Sequence, residues 1–202
     1  MTESADPTGG PTTPERRPPR KRFLLIGCGL AVALGIGLLT TASSGPKSQS
    51  APQVGHPVPS FTTSLVRGSG TVSVPGESGG APTVLLFFGN WCPGCHQELP
   101  PLAAAVRAQV AGGGPLSNIE VIGVDSEDNL PQARAFVKSS GVTFPVAYDR
   151  NEDILSGDFY FEGDPNAVFV RSNGTIARIV HGDELTPSAF IADERALIPS
   201  GT

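Results

Sequence analysis

Thr83-Val84-Leu85-Leu86-Phe87-Phe88-Gly89-Asn90-Trp91-Cys92-Pro93-Gly94-Cys95 is an apolar, β-rich run that ends in a tryptophan and a Cys-x-x-Cys. Its first six residues predict a central strand buried on both faces. Two cysteines two residues apart, the first at a strand-to-helix turn, form the layout of a redox-active disulfide. Free N–H groups and the dipole at the helix N-terminus favour a thiolate on the first sulfur, and the thiolate is the form that attacks disulfides. A structural zinc site is the rival for any Cys-x-x-Cys, but it needs four ligands. The remaining cysteine, Cys28, sits far upstream in an apolar segment, and His56, His96 and His181 have no ligand spacing. The pair therefore reads as thiol–disulfide chemistry that needs neither metal nor cofactor.

Outward from this motif, Gln97 to Val110 predicts a helix with Leu99, Leu102, Val106 and Val110 near helical spacing. Pro100 and Pro101 interrupt it and should kink it about two turns in. Gly112-Gly113-Gly114-Pro115 ends it. Ile119 to Val124 predicts a second buried strand, leading into Asp125-Ser126-Glu127-Asp128. Leu130 to Ser140 fits an amphipathic helix stopped by Gly141, Phe144 to Tyr148 a short extended piece, and Ile154 to Phe159 a helical turn. Asn173-Gly174 between the apolar runs 167–170 and 176–180 is a strong hairpin signal. Thr186-Pro187 offers an N-cap and a first-position proline for a last helix through Leu197. The order β-α-β-α-β-β-α, after a weaker strand pair near Phe61 to Val74, predicts an α/β fold with a mixed sheet and helices on both faces.

The amino-terminal region has a different character. Residues 1–22 are rich in Pro, Thr and charge, cannot bury a core and read as a disordered tail. Arg16, Arg17, Arg20, Lys21 and Arg22 crowd its end, and Phe23 to Ala42 follow as 20 residues without a charge. As a helix that run spans roughly 30 Å, the thickness of a bilayer core. The basic cluster places its amino side in the cytoplasm and everything after it outside. The run is long for a cleaved signal and no clean Ala-x-Ala site follows, so it reads as a signal anchor over 23–42. Leu25-Ile26-Gly27-Cys28 resembles a lipoprotein box only superficially, because most of the apolar run lies after Cys28. Residues 43–53 read as a Ser/Pro/Gly-rich linker, and 54–199 as the folded domain. From residue 48 onward the chain carries 8 basic and 16 acidic side chains, a net of −8. That balance argues against nucleic acid and against lying on an anionic membrane surface.

Taken in order, Trp91-Cys92-Pro93-Gly94-Cys95, Glu98-Leu99-Pro100, Gly123-Val124-Asp125, Phe144-Pro145-Val146 and Gly163-Asp164-Pro165 make the chain similar to the membrane-anchored thioredoxin-like thiol–disulfide oxidoreductases of the TlpA and ResA type, within the redoxin and AhpC-TSA-like superfamily. The similarity covers about Val54 to Leu197. It implies a thioredoxin-like fold, Cys92 as the attacking thiol, Cys95 as the resolving one, and Pro165 as a cis proline facing the disulfide. It also implies protein disulfides as substrates and a membrane protein as electron partner, with apocytochrome c maturation as a known task of such proteins. Peroxiredoxins share much of the fold, but their Pro-x-x-x-Thr-x-x-Cys pattern is missing: Leu85 and Gly89 stand at the Pro and Thr positions.

Two departures carry chemistry. Thioredoxin has a buried Asp six residues before its first active-site cysteine, where this chain has Leu86, so another group must accept the proton of the resolving thiol. Glu98, one helical turn after Cys95 and matching the family's Glu-x-Pro glutamate, is the candidate, against the plainer reading of a solvated helix carboxylate. Asp164, directly before Pro165, takes a place the family commonly gives to an uncharged residue. A negative charge there would disfavour the Cys92 thiolate and make the site a weaker oxidant, unless the side chain points to solvent. Trp91 reads as a wall of the site, Pro93 and Gly94 as its spacer, and His96 as a helix-surface residue. The expected activity is that of an outward-facing, membrane-tethered disulfide reductase. An oxidising folding catalyst, a thiol peroxidase and a non-enzymatic redox sensor are the alternatives.

Overall fold

The computed structural model describes residues 51–74 and 80–198. The expected tail 1–22, the apolar run 23–42 with Cys28, most of the linker and residues 199–202 lie outside the described residues. Among the described residues no helix is long and apolar enough to cross a membrane.

Among the described residues, seven strands and three long helices follow one another: β1 (Phe61–Ser64), β2 (Thr71–Val74), β3 (Thr83–Phe88), α1 (Pro93–Gly112), β4 (Glu120–Ser126), α2 (Leu130–Ser139), β5 (Val146–Asp149), β6 (Asn166–Val170), β7 (Ile176–His181) and α3 (Pro187–Arg195). β1 and β2 form an antiparallel pair. The other five strands make one mixed sheet in the order β5-β4-β3-β6-β7, with β3, β4 and β5 parallel and β6 and β7 antiparallel to their neighbours. This is the thioredoxin-like α/β architecture expected from the motif order. The extended piece at 144–148 pairs with β4 and becomes a strand of the sheet.

Alternation along the strands sorts the core into two layers. Val84, Leu86, Phe88, Val121, Ala167 and Phe169 pack with Cys92, Cys95 and the inner sides of α1, α2 and α3. Leu85, Phe87, Ile122, Val124, Val168 and Val170 pack instead with Phe61 and Val74 of the hairpin and with Ile154, Leu155 and Phe159. Helices are thus spread less evenly than expected: all three long ones contribute to one layer, and the other face is covered by the hairpin and the wide helical turn Asp153–Asp158. The reason is topological. β3, β4 and β5 step in one direction across the sheet, and right-handed crossovers taken in one direction deliver α1 and α2 to the same face.

α1 corrects the expected helix start. It begins at Pro93, so both spacer residues and Cys95 are inside it, and it continues through Pro100 and Pro101 to a left-handed cap at Gly113, φ 61°. The two prolines leave the carbonyls of His96 and Gln97 without helical donors. Both residues are exposed, so water can take those bonds. The remaining boundaries move little: β4 extends two residues further than expected to take in Asp125 and Ser126, α2 opens with an Asn129–Gln132 capping box, and α3 starts on the Thr186 cap but stops at Arg195.

Candidate active site

Three chain segments meet at the carboxyl end of β3. The first is the turn from β3 into α1, the second the end of β4 with the loop after it, and the third the loop entering β6. The sheet brings them together, since Phe88 pairs with Asp125 and Phe87 with Asn166.

Cys92 is the N-cap of α1, and its Sγ accepts the backbone N–H of Cys95 at 3.0 Å. It forms a disulfide with Cys95 across a Cα separation of 5.3 Å. Both cysteines are buried, Cys95 completely. Pro93 is exposed at the first helical position, where a missing N–H costs nothing. Gly94 has an open side toward Pro165: a Cβ there would meet Pro165 Cδ at 3.4 Å. The Asp164–Pro165 peptide bond is cis. The carbonyl oxygen of Asp164 stands 3.2 Å from Cys92 Sγ, so backbone from this loop lies directly against the first sulfur.

The β4 end holds the turn from the other side. Ser126 O accepts Trp91 Nε1–H at 3.0 Å, and Asp128 Oδ2 accepts the N–H of Asn90 at 2.6 Å. The indole is 42% exposed, a platform beside the disulfide rather than a core residue. Gly89 is required for this fit, because a Cβ there would sit 2.3 Å from Trp91 Nε1 and 2.9 Å from Ser126 O. His96 is exposed, as expected of a surface histidine, and its Nε2 donates to Asn90 O at 2.7 Å while its ring packs on Phe136.

Glu98 is half-buried on α1 and takes no part in a described hydrogen bond or ion pair. Leu86 is buried in the core beneath the cysteines. Asp164 does not point into solvent. Its Oδ2 is buried without a donor, and Oδ1 lies 3.5 Å from Asn166 Nδ2, whose own Oδ1 takes the Nδ1–H of His181 at 2.6 Å. His181, which carries no signal in the sequence, is thereby tied to the cis-proline loop. Burial, above all, pushes the Asp164 carboxyl up to about 7, helped by the charges of Glu127, Asp149 and Glu152 and opposed by Asn166.

Asp125, part of the Gly123-Val124-Asp125 marker, is the residue to which the sequence assigned no role. It is completely buried, and no neighbouring N–H or hydroxyl donates to either carboxyl oxygen; the group facing it within hydrogen-bonding reach is another carboxyl, that of Asp128. Burial first, then the neighbouring charges of Asp128 and Asp164, raise Asp125 to about 8. Asp128 is raised by burial as well, against the pull of the Asn90 N–H, Arg150 and His96. The available signal was Asp125 at the carboxyl end of a strand parallel to β3, the end at which sites of open α/β sheets assemble. Among the described residues no three His, Cys, Asp or Glu side chains are grouped to hold a metal ion.

Comparison with known proteins agrees with this geometry. Residues 54–179 match the AhpC/TSA family. The thiol-disulfide oxidoreductase ResA of Bacillus subtilis is 27% identical over 186 residues, 90% of this chain and 97% of that protein. The sporulation thiol-disulfide oxidoreductase A of the same organism is 26% identical over 107 residues, and the match spans 53% of this chain and 62% of that protein. Among solved structures, a secreted Mycobacterium tuberculosis disulfide oxidoreductase homologous to Escherichia coli DsbE superposes with a TM-score of 0.55 at 22% identity, covering 68% of this chain and 96% of that one. The last likeness shows the shared fold.

Proposed function

Because the chain belongs to the AhpC/TSA family, we propose that it is a thiol–disulfide oxidoreductase of the ResA and DsbE type, working as a reductase of protein disulfides outside the cytoplasm. The observation that carries the reading is the position of Cys92: its sulfur caps α1, accepts the Cys95 N–H and lies against the cis-Pro165 loop.

In the reduced enzyme the Cys92 thiolate attacks one sulfur of a partner disulfide. A mixed disulfide forms, and the other partner sulfur leaves as a thiolate. Cys95 then gives up its proton, its sulfur attacks Cys92 Sγ, and the second partner sulfur departs with the electron pair. The partner gains two electrons and the enzyme is left with the Cys92–Cys95 disulfide. Glu98 is the proposed acceptor of the Cys95 proton. An electron donor must then reduce the disulfide again, and a membrane dithiol protein fits a domain tethered by residues 23–42. Apocytochrome c cysteines are a substrate class that suits such a reductase.

The reductive direction draws support from the carboxyls at the site. Asp125, Asp128 and Asp164 offer a thiolate no positive partner, and a poorly stabilised reduced form makes a weak oxidant. The reduction potential of the full chain tests this directly: a value near ~−270 mV is expected, and one near ~−120 mV would assign the chain to disulfide formation. Cys95→Ser should accumulate mixed disulfides through Cys92, and Cys92→Ser none. Trapping by the Cys92 variant instead would reverse the two roles. Fractionation of the full chain with membranes, with a carboxy-terminal reporter active outside the cytoplasm, tests the anchor.

A further inference from the structure

The buried acid on β4 has no part in the exchange steps above, yet its placement ties it to them. In a parallel pair, residues in register share a face. Leu86 is in register with Gly123 and Phe88 with Asp125. Leu86 and Phe88 belong to the layer that contains both cysteines, so Asp125 is on the disulfide side of the sheet. Gly123 leaves no side chain in between, and the Phe88 ring lies over it, 2.9 Å from where a Cβ would be. Asp125 therefore stands beside Phe88, at the active-site end of this layer.

Its surroundings are acidic from each direction. Asp128 faces it from the loop after its own strand and Asp164 from the cis-proline loop, while the register partner on β5 is Tyr148. The cations nearby, His96 on α1 and Arg150 after β5, act on Asp128 rather than on Asp125. Glu127, Asp149 and Glu152 add their charges at Asp164. A completely buried carboxyl faced by another carboxyl rather than by an N–H or hydroxyl donor tolerates a further negative charge beside it poorly. A thiolate at Cys92 would add a negative charge to the same layer, its sulfur 3.2 Å from the carbonyl oxygen of Asp164, whose carboxyl already repels Asp125.

We infer that Asp125, with Asp128 and Asp164 facing it, binds one proton when the Cys92–Cys95 disulfide is reduced, so that the redox couple is linked to pH through a buried carboxyl as well as through its thiols. The inference rests on the oxidoreductase reading. A reducing dithiol supplies two electrons and is itself oxidised to a disulfide. The Cys92–Cys95 bond breaks to a Cys92 thiolate and a Cys95 thiol, which takes one proton. At alkaline pH, where Asp125 is ionised in the oxidised protein, its carboxylate takes a second and returns it on reoxidation. Asp125 is a positioning residue in this scheme, acting by charge without bonding to either sulfur.

The test is the reduction potential of the full chain against pH, from equilibrium with dithiol buffers between pH 7 and 9.5, in wild type, Asp125→Asn and Asp128→Asn. In the oxidised protein Asp125 ionises near pH 8. Above that point the wild-type equilibrium constant should change by a further tenfold per pH unit relative to Asp125→Asn, which is about 30 mV per pH unit for two electrons. Asp128→Asn should bring the bend to lower pH, because a repelling charge is gone. Glu98 is present in all three proteins and cancels from the comparison. Parallel wild-type and Asp125→Asn lines over the whole range would overturn the inference while leaving the oxidoreductase reading intact. Absence of any equilibrium with dithiols would overturn that reading and the inference with it. Should Asp125→Asn not fold, the redox-difference infrared spectrum of wild type at pH 9 replaces it. A protonated-carboxyl band that grows on reduction supports the inference, and an unchanged carboxyl region refutes it.

Discussion

Gly89→Ala is the smallest change that should dismantle the wall beside the disulfide. Elsewhere such a substitution commonly stabilises a protein by about 0.4–1 kcal/mol, through the unfolded chain, and the Gly89 backbone is not in the left-handed region that alanine avoids. Sterics decide the sign. The new methyl would stand 2.3 Å from Trp91 Nε1 and 2.9 Å from Ser126 O. The indole must swing away, giving up its 3.0 Å bond to Ser126, worth about 1 kcal/mol net. The backbone contact cannot be relieved by a side-chain rotation, and overpacking of this kind costs ~1–3 kcal/mol. After the entropic gain, a net loss of about 1–3.5 kcal/mol remains. At roughly 3 °C per kcal/mol for a domain of this size, the melting temperature should fall by about 3–10 °C. Trp91 is the only tryptophan in the chain, so its emission reports the displacement: it should shift to longer wavelength in the folded, oxidised protein. Gly94→Ala is the control, because its Cβ meets Pro165 Cδ at an ordinary 3.4 Å in a helix that favours alanine. A Gly89→Ala protein with wild-type melting and wild-type emission would refute the reasoning.

Glu98→Gln should slow turnover about tenfold near neutral pH, a barrier of about 1.4 kcal/mol, with the defect shrinking as pH rises and hydroxide replaces the missing base. Equal rates for variant and wild type from pH 6 to 9 would remove Glu98 from the mechanism. Stability of the oxidised protein should fall as pH rises from about 5 to 8 and then level off. Asp125 at about 8, and Asp164 and Glu194 at about 7, hold protons in the folded state that the unfolded chain releases near pH 4, so each contributes a loss of up to ~1.4 kcal/mol per pH unit within its window. Glu194→Gln, at a completely buried position on α3, should flatten the urea-midpoint profile and raise it at pH 8; a profile that climbs with pH would contradict the sign.

The strand entering the Cys-x-x-Cys was legible because its information is local: an apolar run, a tryptophan and two cysteines set out a strand, a turn and a helix start within a dozen residues. The Asn173-Gly174 hairpin was legible for the same reason, as Gly174 adopts φ 80° and Asn173 Oδ1 accepts the Thr175 N–H. Asp125 was hidden because its meaning depends on the register of β4 against β3, a pairing 37 positions apart between Phe88 and Asp125. Asp164 was half legible: the charge could be read, but its inward direction depends on Asn166 and His181. The prolines at 100 and 101 lie inside a helix, as the apolar spacing of Leu99, Leu102 and Val106 led one to expect, and the carbonyls they leave open belong to the exposed His96 and Gln97.

The β1–β2 region has one more consequence. β5 is the last strand on its side of the sheet, and a bare strand edge is a template for another chain. Here the edge is occupied: Leu65 bridges Ala147, the Val66 N–H donates to Val146 O at 2.8 Å, and Thr63 Oγ1 donates to Tyr148 O at 2.8 Å. The guard and the strand it covers are some 80 residues apart, the guard being made first. During synthesis it has nothing to cover until α1, β4 and α2 have followed, and a chain clipped between Leu65 and β2 would keep its disulfide and its helices but hold the guard only loosely. Self-association through β5 would then be the first symptom of damage, appearing before any loss of thiol chemistry.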